Sequence, residues 1–167
     1  MIARVFLKPG EFHIARGPAV IETLVGSCVT VCVLNIKNGQ GAMNHFLRDR
    51  PGAEEVTNVG ELGTTATRHI IESLLTCDDR RSCYRAVVLG GAAVLDHSGR
   101  FQDIGAANVR AAMEVLKEHR IQVLATDVGG KKGRRVRFDT QKGVVEYRLA
   151  GQVGRGQGHV WKACAMR

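Results

Sequence analysis

Gly26-Ser27-Cys28 and His45 are the residues whose types and spacing suit chemistry best in this chain. A free thiol is only a few per cent thiolate at neutral pH, so Cys28 needs a base or a positive neighbour before it can attack anything. Gly26 sits where one strand ends and the next begins. A glycine there permits a sharp, even left-handed, backbone. Such a turn exposes the backbone N–H groups of Ser27 and Cys28, which is what an oxyanion requires. His45 is the best base, because a hairpin returns it beside the Cys28 strand. The same residue types also serve structure: Cys is among the most buried residues, and His45 fits equally as a hydrogen-bonded core histidine. Spacing alone leaves both open.

The elements that must position these residues are legible in outline. Residues 20–25 and 28–34 are rich in β-branched side chains and read as strands. Asn38-Gly39 is a turn signal, and residues 42–47 read as the returning strand of a hairpin. In the second strand Val29, Val31 and Val33 take one face, and Cys28, Thr30 and Cys32 the other. Asn58 and Glu61 have capping-box spacing, with Leu62, Ala66, Ile70 and Leu74 at helical period, which predicts a helix over 59–76. Residues 84–89 read as a buried strand ended by Gly90-Gly91. Asp103 is the expected cap of a second helix, along which Ile104, Asn108, Ala112, Val115 and Leu116 form one stripe. Residues 121–125 predict a further strand, and 134–138 with 144–149 a hairpin. Residues 1–150 read as one domain of α+β class, a layered sandwich of mixed sheet with flanking helices. Residues 151–167, with four glycines and no acidic side chain, read as a mobile tail.

Length and composition exclude several classes. A chain of 167 residues with 44% hydrophobic and 24% charged residues can build one ordinary core. No apolar run approaches the roughly 18 residues of a membrane span, and the start lacks a leader's unbroken apolar stretch, so the expected location is cytoplasmic. Of the net charge of +8, five positive charges lie in residues 131–137, leaving +3 elsewhere. That pattern points to a local basic loop. Aromatic content of 5% supplies a nucleic-acid stacking platform poorly. The five cysteines are an odd set with no C-x-x-C pair, so neither a disulfide framework nor a metal site is expected.

Several motifs in order carry a resemblance. Thr23-Leu24-Val25-Gly26-Ser27-Cys28-Val29-Thr30-Val31-Cys32 is followed by Gly41-Ala42-Met43-Asn44-His45-Phe46. Gly90-Gly91-Ala92 and Ile104-Gly105-Ala106-Ala107-Asn108 come next. Asp127-Val128-Gly129-Gly130-Lys131-Lys132-Gly133-Arg134-Arg135 and Phe138-Asp139-Thr140 close the set, and Lys8-Pro9-Gly10-Glu11 opens it. Together they resemble the CheD family of chemoreceptor glutamine deamidases over residues 8–149. The resemblance implies a fold like that of the cytotoxic necrotizing factor deamidase toxins. It implies Cys28 as nucleophile, His45 as general base and acid, and Thr23 as the third member, orienting the imidazole. Gly26, Ser27 and Asn44 are the expected oxyanion and substrate-positioning group. The implied reaction converts receptor glutamine side chains to glutamate with release of ammonia and no cofactor. Implied partners are methyl-accepting receptors as substrate and, in some bacteria, a CheC-type phosphatase. A binding module of the same fold without catalysis is the alternative. The basic segment 131–137 is either a dock for acidic receptor helices or a solvated loop, and Asn108 is either a structural hydrogen-bonder or part of the site.

Overall fold

The computed structural model describes residues 1–51, 58–94, 100–151 and 158–162, with side chains in the second helix from residue 104 onward. The described strands are β1 (Ala3–Leu7), β2 (Phe12–Ala15), β3 (Ala19–Val25), β4 (Val29–Asn35) and β5 (Gly41–Asn44), then β6 (Tyr84–Gly90), β7 (Gln122–Val128), β8 (Arg134–Asp139), β9 (Val144–Leu149) and β10 (His159–Lys162). Helix α1 (Gly63–Leu75) precedes β6, and α2 (Arg100–Glu118) follows it. The strands form two five-stranded sheets, ordered β1-β3-β8-β9-β10 and β2-β5-β4-β6-β7. Both sheets are mixed: β1 lies parallel to β3 and β6 parallel to β7, while the other pairs are antiparallel.

The layering follows from the side chains of β4, a strand buried along its whole length. A strand covered on both faces must be apolar on both. Val29, Val31 and Val33 join Ile70, Leu74 and Leu116 in a core between the second sheet and the helices. Cys32 and Leu34 join Ile21, Val136, Phe138 and Tyr147 in a core between the two sheets. The order is helices, second sheet, first sheet. The outer face of the first sheet bears no further layer among the described residues. This is the α+β sandwich expected, with the mixed sheet resolved into two.

Three boundaries differ for identifiable reasons. Helix α1 starts at Gly63, not 59, because Asn58 spends its amide elsewhere: Oδ1 accepts the Gly60 N–H at 2.9 Å and Nδ2 donates to the Gly10 carbonyl at 3.1 Å. Helix α2 begins at Arg100, ahead of Asp103, whose side chain lies outside the described residues. In the region read as a tail, His159–Lys162 pairs antiparallel with β9, and His159 and Trp161 stack on Tyr147. His159 and Trp161 share one face of this edge strand, and Val160 and Lys162 the other. Strand β1 carries no clean alternation in the sequence, because Phe6 is apolar yet exposed while Val5 and Leu7 turn inward.

Candidate active site

Cys28 ends the turn that carries the chain from β3 in one sheet to β4 in the other. The antiparallel bridge Val29–Phe46, in the same register as β4–β5, sets His45 opposite Thr30 and diagonal to Cys28. Diagonal neighbours of this kind lie about 7–8 Å apart at the backbone, a gap side chains span. Asn44 opens the ladder just before His45. Its Oδ1 accepts the Val31 N–H at 2.8 Å, its Nδ2 donates to Thr67 Oγ1 at 3.3 Å, and its carbonyl accepts from Thr30 Oγ1 at 2.5 Å. The Asn44 side chain thus takes a ladder position, and His45 leaves the strand and enters the seam between the sheets.

The Lys8–Glu11 turn holds the histidine backbone. The Gly10 N–H donates to the His45 carbonyl at 2.7 Å, and the His45 N–H donates to the Glu11 carbonyl at 2.9 Å. The ring is held from the first sheet. Thr23 Oγ1 is 2.7 Å from His45 Nδ1 and 2.8 Å from the Leu7 carbonyl. A hydroxyl has one proton to give. The Leu7 carbonyl only accepts, so it takes that proton, and Thr23 accepts from Nδ1–H. The neutral ring therefore carries its proton on Nδ1 and has Nε2 free as a base.

The turn that presents Cys28 is tied by its carbonyls. The Gly26 carbonyl accepts from the Ala92 N–H and the Cys28 carbonyl from the Gly91 N–H, both at 2.8 Å. Between them, the Ser27 carbonyl accepts from Asn108 Nδ2 at 3.1 Å, and the same amide nitrogen donates to the Leu47 carbonyl at 2.9 Å. Among the described residues no acceptor pairs with the N–H of Ser27 or Cys28. Three successive carbonyls of the turn are thus held by the Gly91–Ala92 loop and Asn108. The left-handed backbone expected at Gly26 lies instead in the facing loop, at Gly90 (φ 114°) and Gly91 (φ 68°). A Cβ on Gly90 would lie 2.3 Å from the Cys28 carbonyl oxygen, so only glycine fits there. At Gly26 the constraint is the Val94 side chain, 3.1 Å from where a Cβ would stand.

Burial sets the protonation states. It pushes the His45 imidazole down to about 4, against smaller upward pulls from the Leu7 carbonyl and the Glu11 charge. Burial also raises the Cys28 thiol above its ordinary value, partly offset by its own backbone N–H. At neutral pH Cys28 thus rests as a thiol and His45 as a neutral imidazole. Cys32 is buried and its thiol is pushed up strongly by that burial, whereas Cys28 is only partly buried, so Cys28 is the more accessible of the two sulfurs.

The structure brings Thr23 and His45 into direct contact at 2.7 Å. Cys28 is related to His45 by strand register, as its diagonal neighbour, and among the described residues its sulfur makes no hydrogen bond to the ring. Asn44 is fully buried, with its amide engaged by the Val31 N–H and Thr67 Oγ1, so its side chain is committed to holding the strand. Sequence reasoning missed the Leu7 carbonyl, because β1 was not read as a strand. It flagged Asn108 without its partners. The ordered spacing of Gly90-Gly91 and Gly105 held the clue: a Cβ on Gly105 would lie 2.3 Å from the Gly91 carbonyl oxygen, so helix α2 approaches the loop closely enough for Asn108 to reach the turn.

Comparison with known proteins gives consistent results. A family model described as "CheD chemotactic sensory transduction" matches residues 47–149, a span that begins just past His45. A protein of Trichlorobacter lovleyi named probable chemoreceptor glutamine deamidase CheD is 38% identical over 144 residues, covering 86% of this chain and 89% of the relative. One of Geobacter sulfurreducens, named probable chemoreceptor glutamine deamidase CheD 1, is 35% identical, covering 80% of this chain and 71% of its own. A third with that name, from Anaeromyxobacter dehalogenans, is 37% identical and covers 84% and 81%.

Proposed function

Because this chain belongs to the CheD family, we propose that it hydrolyses the side-chain amide of glutamines in chemotaxis receptors, with Cys28 as nucleophile. The observation that carries this reading is the relay from the Leu7 carbonyl through Thr23 to His45 Nδ1, which leaves Nε2 of a histidine diagonal to Cys28 as the free acceptor.

The chemistry runs from those atoms. His45 Nε2 takes the thiol proton as Cys28 Sγ attacks the carboxamide carbon. The C=O π electrons move to oxygen, and the N–H groups of Ser27 and Cys28 receive the oxyanion. Removing one donor of this kind typically raises the barrier by about 2.7–4 kcal/mol. His45 then gives its proton to the amide nitrogen, the C–N bond breaks, and ammonia leaves. Neutral His45 next takes a proton from water, whose oxygen attacks the thioester carbon. The C–S bond breaks, the thiol regains its proton, and glutamate is the product. Thr23 is a positioning residue here, and being uncharged it offers the imidazolium less support than a carboxylate does. No described helix is long and apolar enough to cross a membrane, and the compartment we assign is the cytoplasm. A CheC-type phosphatase is the second partner we assign, testable by co-elution of the two purified proteins.

The test is mass spectrometry of receptor cytoplasmic fragments after incubation with the wild-type chain and with Cys28→Ala, with ammonia measured in parallel. Cys28-dependent gain of glutamate together with ammonia is the expected result. A folded wild-type protein that converts no glutamine would return the fold to a non-catalytic binding role.

A further inference from the structure

The outer face of the first sheet carries two adjacent rows of opposite character. In one row Phe6, Glu22, Arg137, Glu146 and Val160 lie in register across all five strands. Its charges alternate, and Arg137 reaches Glu146 at 3.4 Å. The next row runs Leu24, Arg135, Arg148. Here two guanidiniums stand directly opposite each other, with Cβ atoms about 4.5–5.5 Å apart, an arrangement that destabilises a sheet. Both arginines are exposed, and among the described residues neither makes an ion pair or hydrogen bond. They line a groove of about 350 Å³ with Glu22, Glu146 and Val160. Leu24, in the same row, is 53% exposed. Buried Arg134 is no part of this surface: Asp127 and the Gly129 and Lys132 carbonyls hold it inside.

We propose that Arg135 and Arg148 form a carboxylate-binding clamp that docks the polypeptide substrate, with exposed Leu24 flanking it on the strand that leads to the Cys28 turn. The inference rests on the deamidase reading and names a feature of its substrate. A carboxylate set between the two guanidiniums turns their mutual repulsion into two charge-assisted contacts. A nucleic-acid strand fits poorly, since Glu22 and Glu146 border the groove and repel a continuous run of phosphates. A protein segment with one acidic residue among neutral or basic ones fits both rows. Leu24 precedes Cys28 by four residues, at most about 14 Å of chain. That distance corresponds to about four extended or nine helical residues of substrate. The target glutamine is thus expected to have an Asp or Glu within that sequence distance.

The experiment compares Arg135→Gln/Arg148→Gln with the wild-type full-length chain on two substrates, a receptor cytoplasmic fragment and a short N-blocked glutaminyl dipeptide. Ammonia release is measured at low and moderate salt. The expected result is that the preference in kcat/KM for the long substrate over the short one falls about tenfold, through KM, and that the salt dependence of that KM flattens. Changing the substrate's neighbouring acidic residue to Lys should give the same loss with wild-type enzyme and little more with the double variant. An unaltered preference and salt dependence would overturn the clamp, as would equal losses on both substrates. Failure of the wild-type enzyme on both substrates would instead count against the deamidase reading itself.

Discussion

Thr23 gives its only hydroxyl proton to the Leu7 carbonyl, so the imidazole of His45 has one tautomer available to it in the neutral state. Thr23→Ser keeps both bonds and should retain most activity. Thr23→Val leaves a buried Nδ1–H without its partner, a loss of about 1–3 kcal/mol, or roughly ten- to hundredfold in kcat. Both variants should lose less than Cys28→Ala or His45→Ala, and steady-state ammonia release from one substrate orders the four. The same ring makes a prediction about stability. Burial holds folded His45 at about 4, below the value of about 6.5 in an unfolded chain. Between those values the unfolded state binds the proton more readily, so stability is complete above about pH 6.5 and is lost as pH falls through 4. The loss attributable to this group is about 3 kcal/mol. Thermal melts of wild type and His45→Gln between pH 7 and 4 should converge toward the acid end, and parallel melting curves would contradict the assignment.

At the scale of elements, the nucleophile turn is built by three separate segments: the β3–β4 connection, the Gly90–Ala92 loop and helix α2. Asn108 is the fully buried pin among them. Asn108→Ala leaves the Ser27 and Leu47 carbonyls without their donor, which costs about 1–3 kcal/mol for each buried acceptor. The expected outcome is a lowered melting temperature together with slower alkylation of Cys28 by iodoacetamide. A changed melting temperature with an unaltered alkylation rate would make Asn108 a structural residue only. The sequence showed the strands flanking Cys28, both helices and the 134–149 hairpin, because each carries a clean period of hydrophobicity. It also showed Cys28, His45 and Thr23, through ordered motifs. What stayed hidden has a physical cause in each instance. Strand β1 contributes a backbone carbonyl, which no side-chain pattern reports. Asn58 has a cap's chemistry but gives it to Gly60 and Gly10. The face on which Arg135 and Arg148 meet exists only after β8 and β9 pair.

For the whole molecule, the candidate site lies in the seam of two sheets, with Leu7 and Thr23 from one and His45 from the other. Arg134 fastens the same seam. It reaches from β8 to Asp127 on β7 at 2.5 Å and to the Gly129 carbonyl at 2.8 Å, while Tyr147 hydrogen-bonds the other Asp127 oxygen. Removing one partner of a buried ion pair is strongly destabilising, about 3–5 kcal/mol. Asp127 is partly exposed, so Arg134→Ala should fall at the lower end of that range, with Arg134→Lys restoring little because an ammonium lacks the planar fork. Urea unfolding followed by tryptophan fluorescence and by activity measures both the loss and its effect on the seam.

The pairing of β3 with β8 has a consequence for synthesis. Val20 meets Asp139 across that pair, so Thr23 cannot be held in place until the last quarter of the chain has been made. At ordinary translation rates of about 5–20 residues per second, the delay is on the order of 5–20 s. Over that interval the nascent chain already carries both its thiol and its imidazole, but not the sheet that aligns them. The contact between Thr23 and the His45 ring is thus among the last features of the fold to be secured.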